Sequence, residues 1–120
     1  MRKPLWKFAI GAALLFGAAG PAMASSTNAY GKITGVYGTY NGAVLFSVNV
    51  TTRDMPPTCA ANLPNRWAID ASTVAGQAAV QTLYWAIEHH KLVWVTGTGS
   101  CSIWSDTETV AMFSIQDTDY

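Results

Sequence analysis

The chain has 120 residues, a length that allows one domain of ordinary size. Half of its residues are hydrophobic and only 12% are charged, with seven Lys or Arg against seven Asp or Glu. This balance lacks the positive excess by which proteins bind nucleic acid or anionic membrane surfaces, so we expect neither partner.

Residues 1–24 have the pattern of a secretory signal peptide. Three basic residues precede the apolar run Phe8–Ala19, and Ala22-Met23-Ala24 forms an A-x-A cleavage motif. The apolar run is shorter than the ~20 residues that a membrane-spanning helix needs, which makes an uncleaved anchor the weaker alternative. We predict cleavage after Ala24 and a single secreted or periplasmic domain, residues 25–120, with no membrane span.

Removal of the signal peptide changes the charge of the chain. It takes away three of the seven basic residues and none of the seven acidic ones, so the predicted mature domain keeps four against seven, a net charge of −3. That sign also disfavours nucleic acid and anionic membrane surfaces.

Cys59 and Cys101 are the only cysteines, and both lie in the exported part. Two cysteines in an oxidising compartment are expected to form one disulfide, worth on the order of 4 kcal/mol in the chain-entropy model. A redox-active pair would need the C-x-x-C spacing, which the sequence lacks. We predict a structural disulfide.

Five runs of the exported part have the composition of β-strands. Tyr30–Tyr40 is rich in Tyr, Val, Ile and Thr, and Asn41-Gly42 predicts a type I′ hairpin turn into Ala43–Thr52. Within Val44–Val50 the even-numbered residues are apolar and are expected to face the core. The other three predicted strands are Arg66–Ile69, Leu92–Thr96 and Thr107–Gln116.

One stretch, Asp70–Lys91, predicts a helix. Asp70 or Ser72 is expected to cap its first turn, while His89 and His90 place potential cations at its C-terminal end. Small or apolar residues recur at helical spacing on the expected core face. They are Gly76, Val80, Leu83, Tyr84 and Ile87.

Strand, strand, strand, helix, strand, strand is the element order of the OB-fold, a five-stranded barrel. Other α+β arrangements share this order. We therefore predict a mainly β domain with a five-stranded, OB-fold-like barrel, element order β-β-β-α-β-β, and one disulfide.

Catalytic and metal motifs are scarce. No G-x-S-x-G, H-E-x-x-H or P-loop motif occurs. His89 and His90 are neighbours, so on a helix they point about 100° apart and do not easily share one metal. Asp106 and Glu108 lie on one strand face, as an acid–base pair would, but the default for both is a solvated carboxylate. We predict a non-enzymatic protein with no cofactor and no metal.

The tryptophans are a better guide to function. Trp67 and Trp94 lie in predicted strands and are expected in the core. Trp85 lies beside the apolar stripe of the helix, where partial exposure would suit a protein interface.

Trp104 lies in a predicted loop, and loops on rigid scaffolds often carry binding residues. Its neighbours Ser105 and Asp106 add a hydroxyl and a carboxylate, a combination that suits a sugar or a peptide. We predict Trp104, Ser105 and Asp106 as ligand-binding residues. The alternative is that Trp104 caps the barrel beside Cys101.

Two segments, Arg66–Ala86 and Gly97–Ile115, resemble small secreted proteobacterial proteins that are similar to the subtilase cytotoxin B subunit. A cysteine precedes the R-W-A-x-D segment, and G-T-G-x-C-x-x-W-x-D-T-E leads into the last strand. The resemblance implies an OB-like fold, assembly of five copies in a ring, and binding of cell-surface glycans. It assigns no sugar-contact residue in this chain.

The leading hypothesis is a secreted or periplasmic binding module that recognises a glycan or a protein, with a homo-oligomer as a possible assembly. The alternative is a monomeric interaction or inhibitor protein of the bacterial envelope. An enzyme using Asp106 and Glu108 is the third hypothesis.

Overall fold

The computed structural model describes residues 27–120, which form a closed five-stranded barrel with one helix packed against it. The predicted signal peptide, residues 1–24, lies outside the described part. The elements are β1 Asn28–Gly38, β2 Ala43–Arg53, β3 Arg66–Asp70, α1 Val74–Glu88, β4 Lys91–Gly97 and β5 Glu108–Asp119.

The strands follow the order β1-β2-β3-β5-β4 around the barrel, and β4 pairs back with β1 to close it. β3 and β5 run parallel and pair at two positions, whereas the other neighbours are antiparallel. The predicted mainly β architecture, its element order and its five-stranded barrel are therefore confirmed. The predicted hairpin is present, but its type I′ turn is wrong: residues 39–42 separate the two strands, and Gly42 has a φ of 88° whereas Asn41 does not adopt the positive φ that a type I′ turn requires.

The barrel interior is apolar over most of its length. Phe46 and Val48 of β2 lie in the core, and partly buried Val44 and Val50 pack against it, so the predicted inner face of this strand is confirmed. Phe46 meets Phe113 of β5 edge to face across the interior, with ring centroids 5.8 Å apart. Five further side chains of this cluster are fully buried: Trp67, Leu83, Ala86, Val93 and Val95.

The helix is shorter than predicted at both ends. Its N-cap is Thr73, whose Oγ1 accepts a hydrogen bond from the Gly76 N–H at 2.9 Å, so the expected caps Asp70 and Ser72 are wrong. Gly76 is required, because a Cβ there would lie 1.7 Å from the backbone oxygen of Asp70. Of the residues that spacing places on the core face, Gly76 and Leu83 are buried but Tyr84 is 55% exposed, and Ala86, which was not expected there, is buried as well.

The disulfide between Cys59 and Cys101 is confirmed, with the two Cα atoms 6.2 Å apart. Cys59 lies in the short 3-10 turn Thr58–Ala60 after β2, and Cys101 lies in the loop after β4. The bridge therefore ties two loops that the strand ladders do not join. No helix in residues 27–120 has the length and hydropathy to cross a membrane.

Two of the tryptophan expectations hold and one is wrong. Trp67 is fully buried, as predicted, and Trp85 is 45% exposed. Trp94, however, is 38% exposed on the outside of the barrel. The alternation of β4 explains this, because Val93 and Val95 face inward and the residue between them must face outward.

Candidate functional site

The predicted binding residues Trp104, Ser105 and Asp106 belong to one tight turn. The Thr107 N–H donates to the carbonyl of Trp104 at 3.1 Å and closes it. Ser105 and Asp106 are exposed at its tip, while Trp104 is partly buried. The turn projects from the loop that the disulfide anchors, so its position on the barrel is constrained.

Arg66 fastens this turn to the start of β3. Its Nη2 donates to Asp106 Oδ1 at 2.6 Å, and its Nε donates to Thr107 Oγ1 at 2.9 Å. The Arg66 side chain is 23% exposed and that of Asp106 51% exposed, so solvent screens the pair. Its main effect is to fix the direction of the guanidinium group.

Arg66 is also the end of a groove of about 420 Å³ on the outside of the barrel. Its other lining residues come from β1, β2 and the loop before β3: Tyr37, Ser47, Asn62, Leu63, Pro64 and Asn65. The groove combines one exposed aromatic ring, two side-chain amides and a guanidinium group. These groups offer both donors and acceptors to a polar ligand.

Backbone hydrogen bonds hold the groove loop in place. The Leu63 N–H donates to Ala60 O and the Arg66 N–H to Leu63 O, both at 3.1 Å. The Val48 N–H donates to Asn65 O at 2.9 Å, which extends the sheet into the loop. The loop conformation therefore exists before any ligand arrives, and a preorganised site loses less entropy on binding.

Tyr37 forms the aromatic wall of the groove and is 51% exposed. Its ring lies over Gly35, two residues earlier on the same strand face, and a Cβ at Gly35 would lie 3.0 Å from the Tyr37 hydroxyl. Gly35 therefore leaves the space in which the tyrosine ring lies against the sheet.

None of Trp104, Ser105 and Asp106 lines the groove. Asp106 reaches its edge through the ion pair with Arg66, and Trp104 lies in the same turn, paired with Thr107 through the backbone. The sequence analysis missed Tyr37 and the amides of Asn62 and Asn65. The segment Asn62-Leu63-Pro64-Asn65 is rich in turn-forming residues, so the sequence does indicate this loop. It does not indicate that Tyr37 lies beside the loop, because that proximity results from strand pairing.

The structure gives Asp106 and Glu108 different surroundings. Glu108 is fully buried, and its Oε2 accepts from Arg53 Nη2 at 3.0 Å. Glu108 Oε1 accepts from the Thr27 hydroxyl at 2.5 Å and from the Gly99 N–H at 3.0 Å. The two carboxylates therefore do not face a common substrate position, and the face that the sequence analysis gave them in common is wrong.

A cation–π contact completes the surroundings of Glu108. The guanidinium carbon of Arg53 lies 4.1 Å from the ring centroid of Trp67. The Arg53–Glu108 pair thus connects the barrel interior, the start of the domain at Thr27 and the loop at Gly99. Its burial indicates a structural role.

The described residues contain no cluster of three metal-ligating side chains. At the end of α1, the His89 ring stacks on Trp85 with centroids 3.9 Å apart, and its Nδ1 lies 2.9 Å from the Trp85 carbonyl oxygen. His90 takes a φ of 54° directly after the C-cap His89, so both histidines lie at the C-terminal end of α1 as the sequence predicts, and their role as helix-terminal cations stays a prediction.

A second depression, of about 250 Å³, lies where β3 and β5 separate beyond their two paired positions. Its walls are mainly apolar and include Ile69, Ala79, Val110 and Phe113. It offers few groups for polar recognition.

Comparison of the chain with protein-family models, with curated proteins and with solved structures finds no match. The resemblance to the subtilase cytotoxin B subunit therefore stays a prediction. The function has to be argued from the site itself.

Proposed function

We propose that this protein is a secreted or periplasmic, non-enzymatic binding module, and that it recognises a glycan in the groove between Tyr37 and Arg66. The observation that carries the proposal is the composition of that groove: an exposed ring, two amides and a fixed guanidinium group, on a loop held by backbone hydrogen bonds. The resemblance to a toxin B subunit supports the same class of ligand.

The chemistry of the groove fits a sugar better than an apolar ligand. Asn62 and Asn65 can each donate and accept, which matches hydroxyl groups that do the same. The exposed face of Tyr37 supplies apolar area to the C–H face of a sugar ring. A volume of about 420 Å³ lies within the usual range for small-ligand sites.

The test is a glycan array with the oxidised domain, followed by calorimetry on the best ligand. Tyr37→Ala and Asn62→Ala should each weaken binding at least tenfold, because each removes a wall of the groove. Tyr40→Ala is the matched control, since Tyr40 is fully exposed at the hairpin tip and lies outside the groove. If Tyr37→Ala and Tyr40→Ala bind the glycan with equal affinity, the groove is not the binding site.

The turn predicted from the sequence is tested in the same assay. If Trp104 contacts the ligand, Trp104→Ala lowers affinity while the melting temperature is nearly unchanged. If Trp104 only supports the turn, the melting temperature falls and the affinity of the folded fraction stays. We expect Asp106→Asn to weaken binding mildly, through the loss of orientation of Arg66.

We further propose that the domain assembles as a homo-oligomer, with five copies in a ring as the resemblance implies. In residues 27–120 β3 contacts β5 at only two positions, so the edge of β5 from Val110 to Phe113 has no strand beside it on that side. α1 lies along this edge across the depression of about 250 Å³, so an extended strand of another copy would enter that depression to pair with the edge. The solution mass of the oxidised domain, measured by light scattering, tests this assembly. We expect the mass of a pentamer, and the mass of a monomer would contradict the ring.

A second candidate is a protein ligand, favoured by the exposed face of α1. Tyr84 and Trp85 are 55% and 45% exposed there, and aromatic residues are enriched at protein interfaces. This candidate predicts a monomer in solution, no array signal, and loss of a co-purifying envelope protein on Trp85→Ala.

A further inference from the structure

The outer face of β1, β4 and β5 carries an aromatic pair that lies outside the groove described above. Strand pairing places Tyr30 directly opposite Trp94, and the register continues to Thr52 on one side and Ser114 on the other. These four side chains form one row across four strands. With strands about 4.8 Å apart, the row spans about 14 Å.

Both rings of the pair are available at the surface. Trp94 is 38% exposed and Tyr30 is partly exposed. Their centroids are 6.0 Å apart and their planes are inclined by 45°, so the pair forms a shallow, angled platform. A sugar chain, whose successive rings are rotated relative to one another, can contact both faces.

A hydrogen-bonded network fixes the orientation of the indole. Trp94 Nε1 donates to Asn28 Oδ1 at 3.4 Å, and the Thr96 hydroxyl donates to the same oxygen at 2.9 Å. The Asn28 amide in turn donates to Asp54 Oδ2 at 2.9 Å. Because the edge of the indole is engaged within the protein, its face is what a ligand meets. A rigid ring loses little entropy on binding.

The surroundings of the pair favour a sugar over a protein. Protein interfaces have an apolar centre that excludes water. Here the two rings lie among hydroxyl, amide and carboxylate groups. These groups belong to Thr52, Ser114, Thr96, Asn28 and Asp54. One exposed apolar side chain, Met112, lies opposite Thr96. Hydroxyl-rich ligands can stack on the rings and hydrogen-bond to this rim.

The charge of the rim narrows the ligand class. Asp54 is exposed, and both of its hydrogen bonds to Asn28 engage Oδ2. Its carboxylate can accept from a sugar hydroxyl, and exposed Lys32 lies two residues beyond Tyr30 on the same strand face, so the surroundings carry one charge of each sign and favour neither an anionic nor a cationic ligand. We propose that the Tyr30–Trp94 platform is a second, independent ligand-binding site, which takes a neutral oligosaccharide chain by stacking.

The site is tested with the oxidised domain, labelled with 15N, and four neutral hexaoses: cellohexaose, chitohexaose, maltohexaose and mannohexaose. The indole N–H signal of Trp94 should shift with at least one of them, while those of Trp67 and Trp85 stay. Trp94→Ala should raise the dissociation constant about tenfold or more, and Trp94→Phe should restore most of the affinity because it keeps a ring. Trp85→Ala, which removes another exposed indole, is the matched control.

Three results would overturn the proposal. One is the absence of a Trp94 shift with all four hexaoses, and the second is wild-type affinity in Trp94→Ala. The third is a dimer in light scattering that Trp94→Ala dissociates, since the platform would then be a contact between copies. Tyr37→Ala separates the two sites: it should leave hexaose binding at Trp94 unchanged even if it abolishes binding in the groove.

Discussion

Glu108→Gln tests whether the buried ion pair holds the barrel together. The substitution keeps the size of the side chain and removes its charge. In the wild type, Glu108 is fully buried and accepts from Arg53, Thr27 and Gly99, while the Arg53 side chain is only 9% exposed. The variant leaves the Arg53 charge buried without its counter-ion.

The expected loss of unfolding free energy follows from the burial of the ion pair. Removing one partner of a buried ion pair costs about 3–5 kcal/mol, against about 5–15 kcal/mol for the total stability of a domain. Because glutamine retains one acceptor oxygen for Thr27 or Gly99, we expect the lower end, about 3 kcal/mol. With a urea m-value of about 1–1.5 kcal/mol/M, taken for a small domain, the midpoint should fall by about 2–3 M.

The assay is urea unfolding of the oxidised domain, followed by tryptophan fluorescence. Asp106→Asn is the matched control, two residues away, because it removes the carboxylate of the solvent-exposed pair with Arg66 and should cost at most about 1 kcal/mol. Similar losses in the two variants would refute the reasoning, since they would mean that water reaches Glu108. A double replacement, Arg53→Met with Glu108→Leu, should recover part of the stability, because it removes the unpaired charge but leaves the Thr27 hydroxyl and the Gly99 N–H without their acceptor.

Two further predictions concern the segment that leads into α1. Gly76→Ala should destabilise the domain by about 1–3 kcal/mol, because the new methyl group would meet the Asp70 carbonyl oxygen at 1.7 Å. The control Ala78→Gly, at an exposed site of the same helix, should cost only about 1 kcal/mol. A higher melting temperature for Gly76→Ala than for the wild type would contradict the close approach. Hydrogen bonds from the Ser72 hydroxyl and then from the Ser72 N–H lower the pKa of Asp70, so its contribution is complete at neutral pH and is lost as the pH falls through that lowered pKa. The difference in melting temperature between wild type and Asp70→Asn should therefore close as the pH falls below about 4, the ordinary pKa of an aspartate, and a difference independent of pH would show that the Ser72 contacts do not depend on the charge.

Most of the fold could be predicted from the periodicity of apolar residues and from residue type. The hairpin at Asn41-Gly42 and the alternation of Val44–Val50 depend on neighbouring residues only, and both are correct in the structure, although the turn is not of the predicted type I′. The disulfide was predictable because the chain offers a single pairing of cysteines. Local signals were weaker at the helix start, where Asp70, Ser72 and Thr73 are all good caps and the geometry of the loop selects Thr73.

Burial of individual aromatic and charged residues was decided by tertiary structure. Trp67 and Trp94 both lie in strands, yet one is fully buried and the other 38% exposed, because the register of each strand sets which face its odd and even positions occupy. Asp106 and Glu108 are separated by one residue, yet Asp106 is half exposed and pairs with Arg66, while Glu108 is fully buried and pairs with buried Arg53.

The sequence alone thus determined the order of elements, the disulfide and the class of the domain, since these follow from local pattern and from composition. The groove and the aromatic platform required the tertiary structure. Tyr37 shares a groove with Asn62 and Arg66 because β1, β2 and β3 pair side by side, and Tyr30 meets Trp94 only because β4 pairs with β1 and closes the barrel. No local pattern records that register, which depends on how the whole set of strands buries its apolar faces together.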